Sequence, residues 1–289
     1  MNKLNFSGHE SFQCRELWLK KGFDFVNSGK SFNDPDAVVE LGVGKNMVNS
    51  IQYWMTAFCA LDSKKNLTDF ARYIFGEKGK DPFIEDIASL WLLHYSLVKR
   101  NHASIYSLFF NEFRKEKSEF SRQQLVNFLK RKCEELETVV SENTIERDVS
   151  VFLSTYLKPG REDKEVKDLS AGLLVDLEMI EKINKMGEDE TVWFRVVNTE
   201  KEEIPPEILL FCILDNENYG NSISLHGLLT AVNSIGSVFA ISSGSIVKKL
   251  EALTGKYKWL TYMDDAGIKE VQFKEKIDKW EILDNYYGK

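Results

Sequence analysis

Four side chains that can do chemistry lie close together in the segment Gly8–Arg15, with the sequence GHESFQCR. They are the imidazole of His9, the carboxylate of Glu10, the thiol of Cys14 and the guanidinium of Arg15. A histidine in a loop can act as a general base or a metal ligand, and a nearby arginine can hold a phosphate. We therefore take His9 and Glu10 as candidate catalytic residues and Arg15 as a candidate phosphate contact.

The residues of this segment also have a purely structural interpretation. Ser7 could cap a helix, and Glu10, three residues later, could complete a capping box that places His9 in the first turn. The sequence leaves both interpretations open.

The segment Asp36–Leu61 has the pattern of a helix-turn-helix. Its apolar residues recur at helical spacing on both sides of Gly42, which lies where a first helix must stop and turn. Val48 and Ile51 would then face inward, and a set of polar side chains would remain on the outer face for phosphates and base edges. These candidate DNA contacts are Lys45, Asn46, Asn49, Ser50 and Gln52. A helical hairpin that binds nothing is the alternative.

Other catalytic patterns are weak. The segment ELGVGKN lacks the spacing of a phosphate-binding loop, and G-x-S-x-G and H-E-x-x-H are absent from the sequence. The four cysteines are scattered without metal-ligand spacing. A metal-dependent nuclease needs carboxylates that converge on the metal, with a lysine or histidine to assist. The triplet Glu165-Val166-Lys167, with Asp148 and Asp163 upstream, has suitable residues. Such a triplet occurs easily by chance in a chain rich in Glu and Lys, so this match is weak evidence.

The elements that must position these residues are predicted to be mainly α, with small β wings and several helix-turn-helix or winged-helix-like modules. We expect a helical domain over residues 1–160, including a second winged-helix-like unit at about 120–158, in which Ser121 would cap the first helix. An acidic connecting region would follow over 161–204, containing a short strand at TVWFRVV. Residues 205–289 would form a C-terminal winged-helix-like domain, with two strands joined at Asp264–Gly267 and with Lys248 and Lys249 on its third helix as further phosphate contacts.

The charge is uneven along a chain whose net charge is −7. Residues 99–133 carry nine basic and three acidic side chains, whereas residues 160–215 carry seven basic and fifteen acidic ones. A basic segment beside an acidic one suits a phosphate-contacting surface next to a protein-contacting or solvated one, although plain solvated helix faces would give the same pattern. No apolar run reaches the ~18–20 residues of a membrane span and the start lacks a secretory signal, so we expect a cytoplasmic protein without membrane contact.

The blocks FSGHESFQCRELWLKKG and DAVVELGVGKNMVNSIQYW resemble the SspB-type family of bacterial proteins associated with DNA phosphorothioation and phage defence. The helical middle and the acidic C-terminal half agree with that family in layout. The resemblance implies a DNA-engaging component that acts with a cysteine desulfurase, an ATPase and a reductase-like sulfur-transfer protein. A homodimer is a further expectation. The resemblance carries no established catalytic residues.

Three functional hypotheses follow. The first is a metal-assisted DNA nickase that uses His9 or Glu10 with Mg²⁺ or Mn²⁺ and no nucleotide cofactor. The second is a non-catalytic helix-turn-helix DNA-binding adaptor or transcriptional regulator. The third is an assembly subunit that touches only proteins.

Overall fold

Helices form most of the chain, and small β-sheets complete two separate units. The structure is a computed structural model that describes residues 4–159, 171–184, 191–265 and 267–288. The chain divides into a first unit, Met1–Val196, and a second unit, Val197–Lys289. In the described ranges, no helix combines the length and the apolar character needed to cross a membrane.

The first unit holds nine α-helices and one three-stranded sheet within its described residues. Its helices are α1 (Trp18–Asn27), α2 (Ala37–Leu41), α3 (Lys45–Ala57), α4 (Asp69–Phe75), α5 (Ile87–Arg100), α6 (Ser104–Leu108), α7 (Arg114–Glu116), α8 (Arg122–Glu135) and α9 (Glu142–Tyr156). A π-helical turn, Phe109–Phe113, joins α6 to α7, and a 3₁₀ turn, Val175–Leu177, follows α9. Its strands are β1 (Glu119–Ser121), β2 (Ile180–Ile183) and β3 (Trp193–Val196).

The second unit is smaller and also combines α-helices with one three-stranded sheet. Its helices are α10 (Pro206–Asp215), α11 (Leu225–Thr230), α12 (Ile235–Phe239), α13 (Ser243–Lys256) and α14 (Lys279–Tyr287), and its strands are β4 (Ser222–Ser224), β5 (Leu260–Asp265) and β6 (Ile268–Phe273). The strands β5 and β6 form the hairpin expected around Asp264–Gly267.

The predicted turn between α2 and α3 is confirmed at Gly42. This residue ends α2 in the left-handed region, with φ of 60°, a conformation that glycine adopts without steric cost. The helix α1 runs through Gly22 and continues to Asn27. Gly22 is buried inside α1, where a Cβ atom would overlap the side chain of Met55 on α3. The missing side chain therefore lets α1 and α3 pack closely.

Both sheets have the same topology. In the first unit β3 lies between β1 and β2, and in the second unit β6 lies between β4 and β5; all pairs are antiparallel. The middle residue of each first strand is buried and pairs with a buried residue of the central strand, as in Phe120 with Phe194 and Ile223 with Val271. Each first strand ends in a serine, Ser121 or Ser224, whose side chain caps the next helix. The capping function predicted for Ser121 is confirmed.

The sheet of the first unit changes the expected organisation. The strands β2 and β3 come from the stretch 161–204, which we expected to be a connecting region, and they pair with β1. The described parts of that stretch up to Val196 therefore belong to the first unit, whose end lies beyond the expected boundary at 160. Sequence periodicity detects β3, but it cannot show that β1 is its partner about 74 residues earlier.

The core of the first unit is rich in aromatic side chains from α5, α6 and α9. His94 is fully buried there, and its Nδ1 lies 3.0 Å from the hydroxyl of Tyr156. The ring of Phe110 lies 4.7 Å from that of His94, edge to face. His94 is therefore a residue of the core.

Candidate functional site

The segment that carries His9 and Glu10 is a strained loop, not a helix. The chain enters its first helix only at Trp18, so the capping-box interpretation of Ser7 and Glu10 is wrong. Ser7, Gly8, Glu10 and Ser11 all have positive φ, with values of 69°, 89°, 50° and 67°. Left-handed backbone at three residues other than glycine is costly, and it persists only where the surroundings hold it. We call Phe6–Phe12 the opening loop.

Hydrogen bonds hold the opening loop to α9. His9 and Asp148 are 4% and 2% exposed, and His9 Nε2 lies 3.1 Å from Asp148 Oδ1. The backbone N–H of Ser7 donates to both carboxylate oxygens of Asp148, at 3.0 and 3.2 Å. One buried carboxylate therefore fixes two points of the loop.

The hydrogen bonds around His9 define its tautomer. The backbone N–H of Ser11 donates to His9 Nδ1 at 3.1 Å, so this nitrogen carries no proton. The proton of a neutral imidazole then sits on Nε2 and is donated to Asp148. Both ring nitrogens are occupied inside the protein, which leaves neither for a metal ion or a substrate. This geometry gives His9 a structural position and does not support its predicted use as a general base.

The helix α3 also contacts the opening loop. Ser50 Oγ donates to the carbonyl of His9 at 3.0 Å, and Trp54 Nε1 donates to the carbonyl of Phe12 at 2.9 Å. Tyr53 packs against Gly8 so closely that a Cβ atom there would lie 2.7 Å from Cδ2 of the tyrosine ring. Ser50 is fully buried, so its predicted place on the outer face of α3 is wrong. The loop covers this side of the helix, which helical periodicity alone could not reveal.

The remaining polar side chains of α3 lie beside Glu10. Lys45 and Asn46 are exposed in the first turn, and Asn49 and Gln52 follow, half-buried, at the spacing of one helical face. Asn49 Nδ2 lies 3.4 Å from Glu10 Oε1. The predicted residues Glu10 and Asn49 are thus brought together, and Glu10 is exposed to solvent. We call Glu10, Lys45, Asn46, Asn49 and Gln52 the α3 face.

Arg15 lies apart from the α3 face. Its guanidinium stacks over Trp18 at 5.1 Å and over Phe12 at 5.9 Å from the ring centroids. Arg15 also lines a cleft of about 490 Å³ together with Lys21 and Asp176. This position combines packing with partial exposure, and the charge of Arg15 is held against aromatic rings.

The two lysines predicted on α13 differ from each other. Lys248 is exposed and its Nζ lies 3.4 Å from a carboxylate oxygen of Glu202. Lys249 is only 7% exposed and donates to the carbonyl of Ile204 at 2.7 Å. Burial lowers the pKa of Lys249. The prediction that Lys249 contacts phosphates is wrong as it stands, because its ammonium group is buried and bonded to backbone.

Much of the basic stretch 99–133 is paired within the chain. Lys132 lies 2.8 Å from Glu112 and 2.7 Å from Glu135, and Arg131 lies 2.9 Å from Glu116. Arg122 donates to the carbonyl of Glu146 at 2.6 Å. These pairs are typical of solvated helix faces. Of the two interpretations of this stretch, a phosphate-contacting surface or plain solvated helices, they favour the second.

The place of Asp148 beside the opening loop is the part of the site that sequence reasoning missed. The sequence suggested Asp148 only as a carboxylate upstream of Glu165-Val166-Lys167, yet it is buried on α9. A signal was available: Asp148 falls among Ile145, Val149 and Phe152, the apolar positions of α9, where a charged group must have a partner.

In residues 4–159, 171–184, 191–265 and 267–288, no three or more His, Cys, Asp or Glu side chains are placed to hold a metal ion. The triplet Glu165-Val166-Lys167 and Asp163 lie outside the described residues.

Comparisons with known proteins agree with the resemblance seen in the sequence. A crystal structure of SspB is similar to this chain with a TM-score of 0.87 and 26% sequence identity, covering 98% of this chain and 88% of that one. A magnesium ion-bound SspB crystal structure has a TM-score of 0.86 with the same identity and coverage. No curated protein matches the chain. Residues 6–287 match the family described as "Protein of unknown function (DUF4007)", and the chain therefore belongs to the DUF4007 family.

Proposed function

We propose that this protein is a DNA-engaging component of a bacterial phosphorothioation and defence system and that it contacts DNA through the α3 face. The similarity to SspB supports the system, and the α3 face supports the contact. The observation that carries the proposal is that Lys45, Asn46 and Asn49 lie on one side of α3, next to an opening loop that a buried carboxylate fixes.

The start of α3 suits a phosphate group. Gly44 is its N-cap and makes no side-chain capping bond, so the first backbone N–H groups of this 13-residue helix lack a side-chain acceptor from that residue. The positive end of the helix dipole and the ammonium group of Lys45 both favour an anion there. Asn46 and Asn49 add amide donors and acceptors of the kind that reach base edges. A DNA backbone placed along this face would meet charge and hydrogen-bonding groups together.

DNA nicking is the second candidate function, and the position of Glu10 favours it. Glu10 is an exposed carboxylate at the edge of the α3 face, and Asn49 beside it offers an amide oxygen. Mg²⁺ is commonly bound by one or two carboxylates together with substrate phosphates and water, so these two side chains fit part of such a site. A bound Mg²⁺ or Mn²⁺ would stabilise charge on the scissile phosphate. In this scheme Glu10 holds the metal, and His9 positions the loop.

The second unit provides a further part of the proposal. Its order of helices, with the hairpin β5–β6 after α13, is the order of a winged helix, and we infer that it acts as an additional DNA- or protein-contacting module. The sulfur-transfer partners, the homodimer and the cytoplasmic location expected from the sequence belong to the same proposal.

DNA binding is tested by fluorescence anisotropy with a labelled duplex over a range of salt concentrations. The double variant Lys45→Ala, Asn46→Ala is expected to weaken binding about tenfold and to reduce the salt dependence by about one phosphate contact. The matched control is Arg72→Ala, which removes one exposed positive charge from the same unit. Binding that is insensitive to salt, or equal in both variants, would contradict the proposal.

Nicking is tested with supercoiled plasmid and purified protein in Mg²⁺ or Mn²⁺. Strand breakage that Glu10→Gln abolishes, while DNA affinity stays within threefold, would support a metal-holding function of Glu10. If the wild-type protein binds DNA but never relaxes plasmid under conditions in which an active SspB does, the chain is a non-catalytic adaptor.

A further inference from the structure

A second group of positive charges lies at the far end of α3. Thr56 is the last member of the row Lys45, Asn49, Gln52 and Thr56, which follows one line along the helix. Lys65 Nζ donates to Thr56 Oγ1 at 3.2 Å, which fixes the ammonium group at that end. Lys65 itself is exposed and has positive φ, 68°, so the loop after α3 is shaped to bring it back to the helix.

His102 and Arg100 reach the same place from α5. The ring of His102 lies 5.0 Å from that of Tyr53, which is one helical turn before Thr56 on α3. Its backbone carbonyl accepts a hydrogen bond of 2.6 Å from the side chain of Asn5, which holds the segment after α5 in position. Arg100 ends α5 two residues earlier and is exposed.

Two cationic side chains lie close enough to His102 to act on its charge. Burial and, to a smaller extent, the nearby charges of Lys65 and Arg100 together lower the pKa of His102 to about 4. The acidic group of the Lys65 loop is Asp62, and its carboxylate accepts hydrogen bonds from the backbone of Lys64 at 2.8 Å and of Asn66 at 2.9 Å. Asp62 is thus bonded to its own loop.

We propose that Lys65, Arg100 and His102 form a second phosphate-binding site, which takes a backbone phosphate of the DNA held on the α3 face. This inference rests on the proposed function and deepens it. Lys45 and Thr56 are eleven residues apart, or about 16 Å at ~1.5 Å per residue. That length matches roughly five base pairs of duplex at ~3.4 Å each. Two phosphate contacts at the ends of α3 would therefore fix the direction of the helix along the DNA.

The first experiment uses inorganic phosphate and needs no DNA. The pKa of each histidine is measured by NMR in phosphate and in chloride at equal ionic strength, and His102→Gln assigns the signal. Phosphate is expected to raise the pKa of His102 by about half a pH unit or more, because a bound anion stabilises the imidazolium. His226, exposed in the second unit, serves as the internal control. Equal pKa values for His102 in both salts would overturn the site.

The second experiment measures duplex affinity for Lys65→Ala, Arg100→Ala. Both side chains are exposed, so the fold is expected to persist, and circular dichroism checks it. Loss of two phosphate contacts is expected to weaken binding at least tenfold in low salt and to reduce the slope of log affinity against log salt by about 1.8. The control Arg72→Ala, Lys78→Ala is expected to change neither quantity appreciably.

The outcomes separate this inference from the proposed function. If Lys45→Ala, Asn46→Ala loses affinity while Lys65→Ala, Arg100→Ala keeps the wild-type affinity and slope, the second site is wrong and the proposed function stands. If the wild-type protein binds no duplex, the proposed function is wrong, and the phosphate titration alone decides whether the anion site exists.

Discussion

His9 on the opening loop and Asp148 on α9 are separated by 139 positions in the sequence, yet they form a buried pair with Nε2 and Oδ1 3.1 Å apart. The carboxylate also accepts the backbone N–H of Ser7. The carboxylate of Asp148 therefore holds the opening loop, which carries Glu10, in place. Its loss should lower the free energy of unfolding of the first unit.

Replacing Asp148 by alanine is expected to lower the free energy of unfolding of the first unit by about 3 kcal/mol, because the buried donors of Ser7 and His9 lose their acceptor. Urea unfolding followed by the indole N–H signal of Trp54 measures it. The neighbouring exposed residue gives the control, since Arg147→Ala is expected to change stability by less than about 0.5 kcal/mol. Similar stabilities for the two variants would show that the pair does not hold the loop.

Gly8→Ala is expected to lower the free energy of unfolding for two reasons, backbone strain and a steric clash, which can be measured separately. Gly8 has φ of 89°, and an added Cβ would meet the ring of Tyr53 at 2.7 Å. Gly29 has a similar φ of 82° with open space around it, so Gly29→Ala reports the backbone cost alone, about 1 kcal/mol. Gly8→Ala is expected to cost about 1–2 kcal/mol more than Gly29→Ala in urea unfolding. Equal costs would mean that Tyr53 moves aside freely.

The stability of the first unit is expected to depend on pH through His102. Its pKa is about 4 in the folded protein and about 6.5 when unfolded, so the unfolded chain takes up the proton first as the pH falls. The free energy of unfolding therefore has its full value, as far as His102 is concerned, above about pH 6.5, and it decreases as the pH falls towards 4. Because His102 is partly exposed, we expect an effect on the order of 1 kcal/mol between pH 7 and pH 5. Urea unfolding at these two pH values should show a smaller difference for His102→Gln than for the wild type; the same difference would contradict the assignment.

Lys249→Met is expected to destabilise the second unit by about 1–3 kcal/mol, because the buried carbonyl of Ile204 loses its donor while the methionine preserves most of the apolar stem. Lys248→Met, at an exposed position, is expected to change stability by less than about 0.5 kcal/mol. Thermal unfolding followed by the indole signals of Trp259 and Trp280 compares them. Equal melting temperatures would argue against the buried hydrogen bond.

Local signals in the sequence predicted the elements well. Gly42 marks the end of α2, Ser121 caps α8, and the strands around Asp264–Gly267 form a hairpin. Each of these features depends on residues within a few positions of one another, so backbone preference and side-chain capping suffice to predict them.

The candidate site was harder to predict because its contacts are distant in sequence. Helical periodicity placed Ser50 outside, but the opening loop covers that side of α3. Adjacent lysines at 248 and 249 looked alike, whereas one faces solvent and the other bonds to the backbone near Ile204. The partner of His9 could be suspected from a charge on the apolar side of α9, but only the fold identifies it.

The shared topology of the two sheets bears on the history of the chain. A strand ending in a capping serine, then helices, then two more strands with the last in the centre, occurs once in each unit. Duplication of one ancestral module would produce this arrangement without leaving an evident sequence repeat. The α3 face precedes the first of these arrangements in the chain and is part of neither, so a duplication of the module would not have doubled the residues proposed to meet DNA.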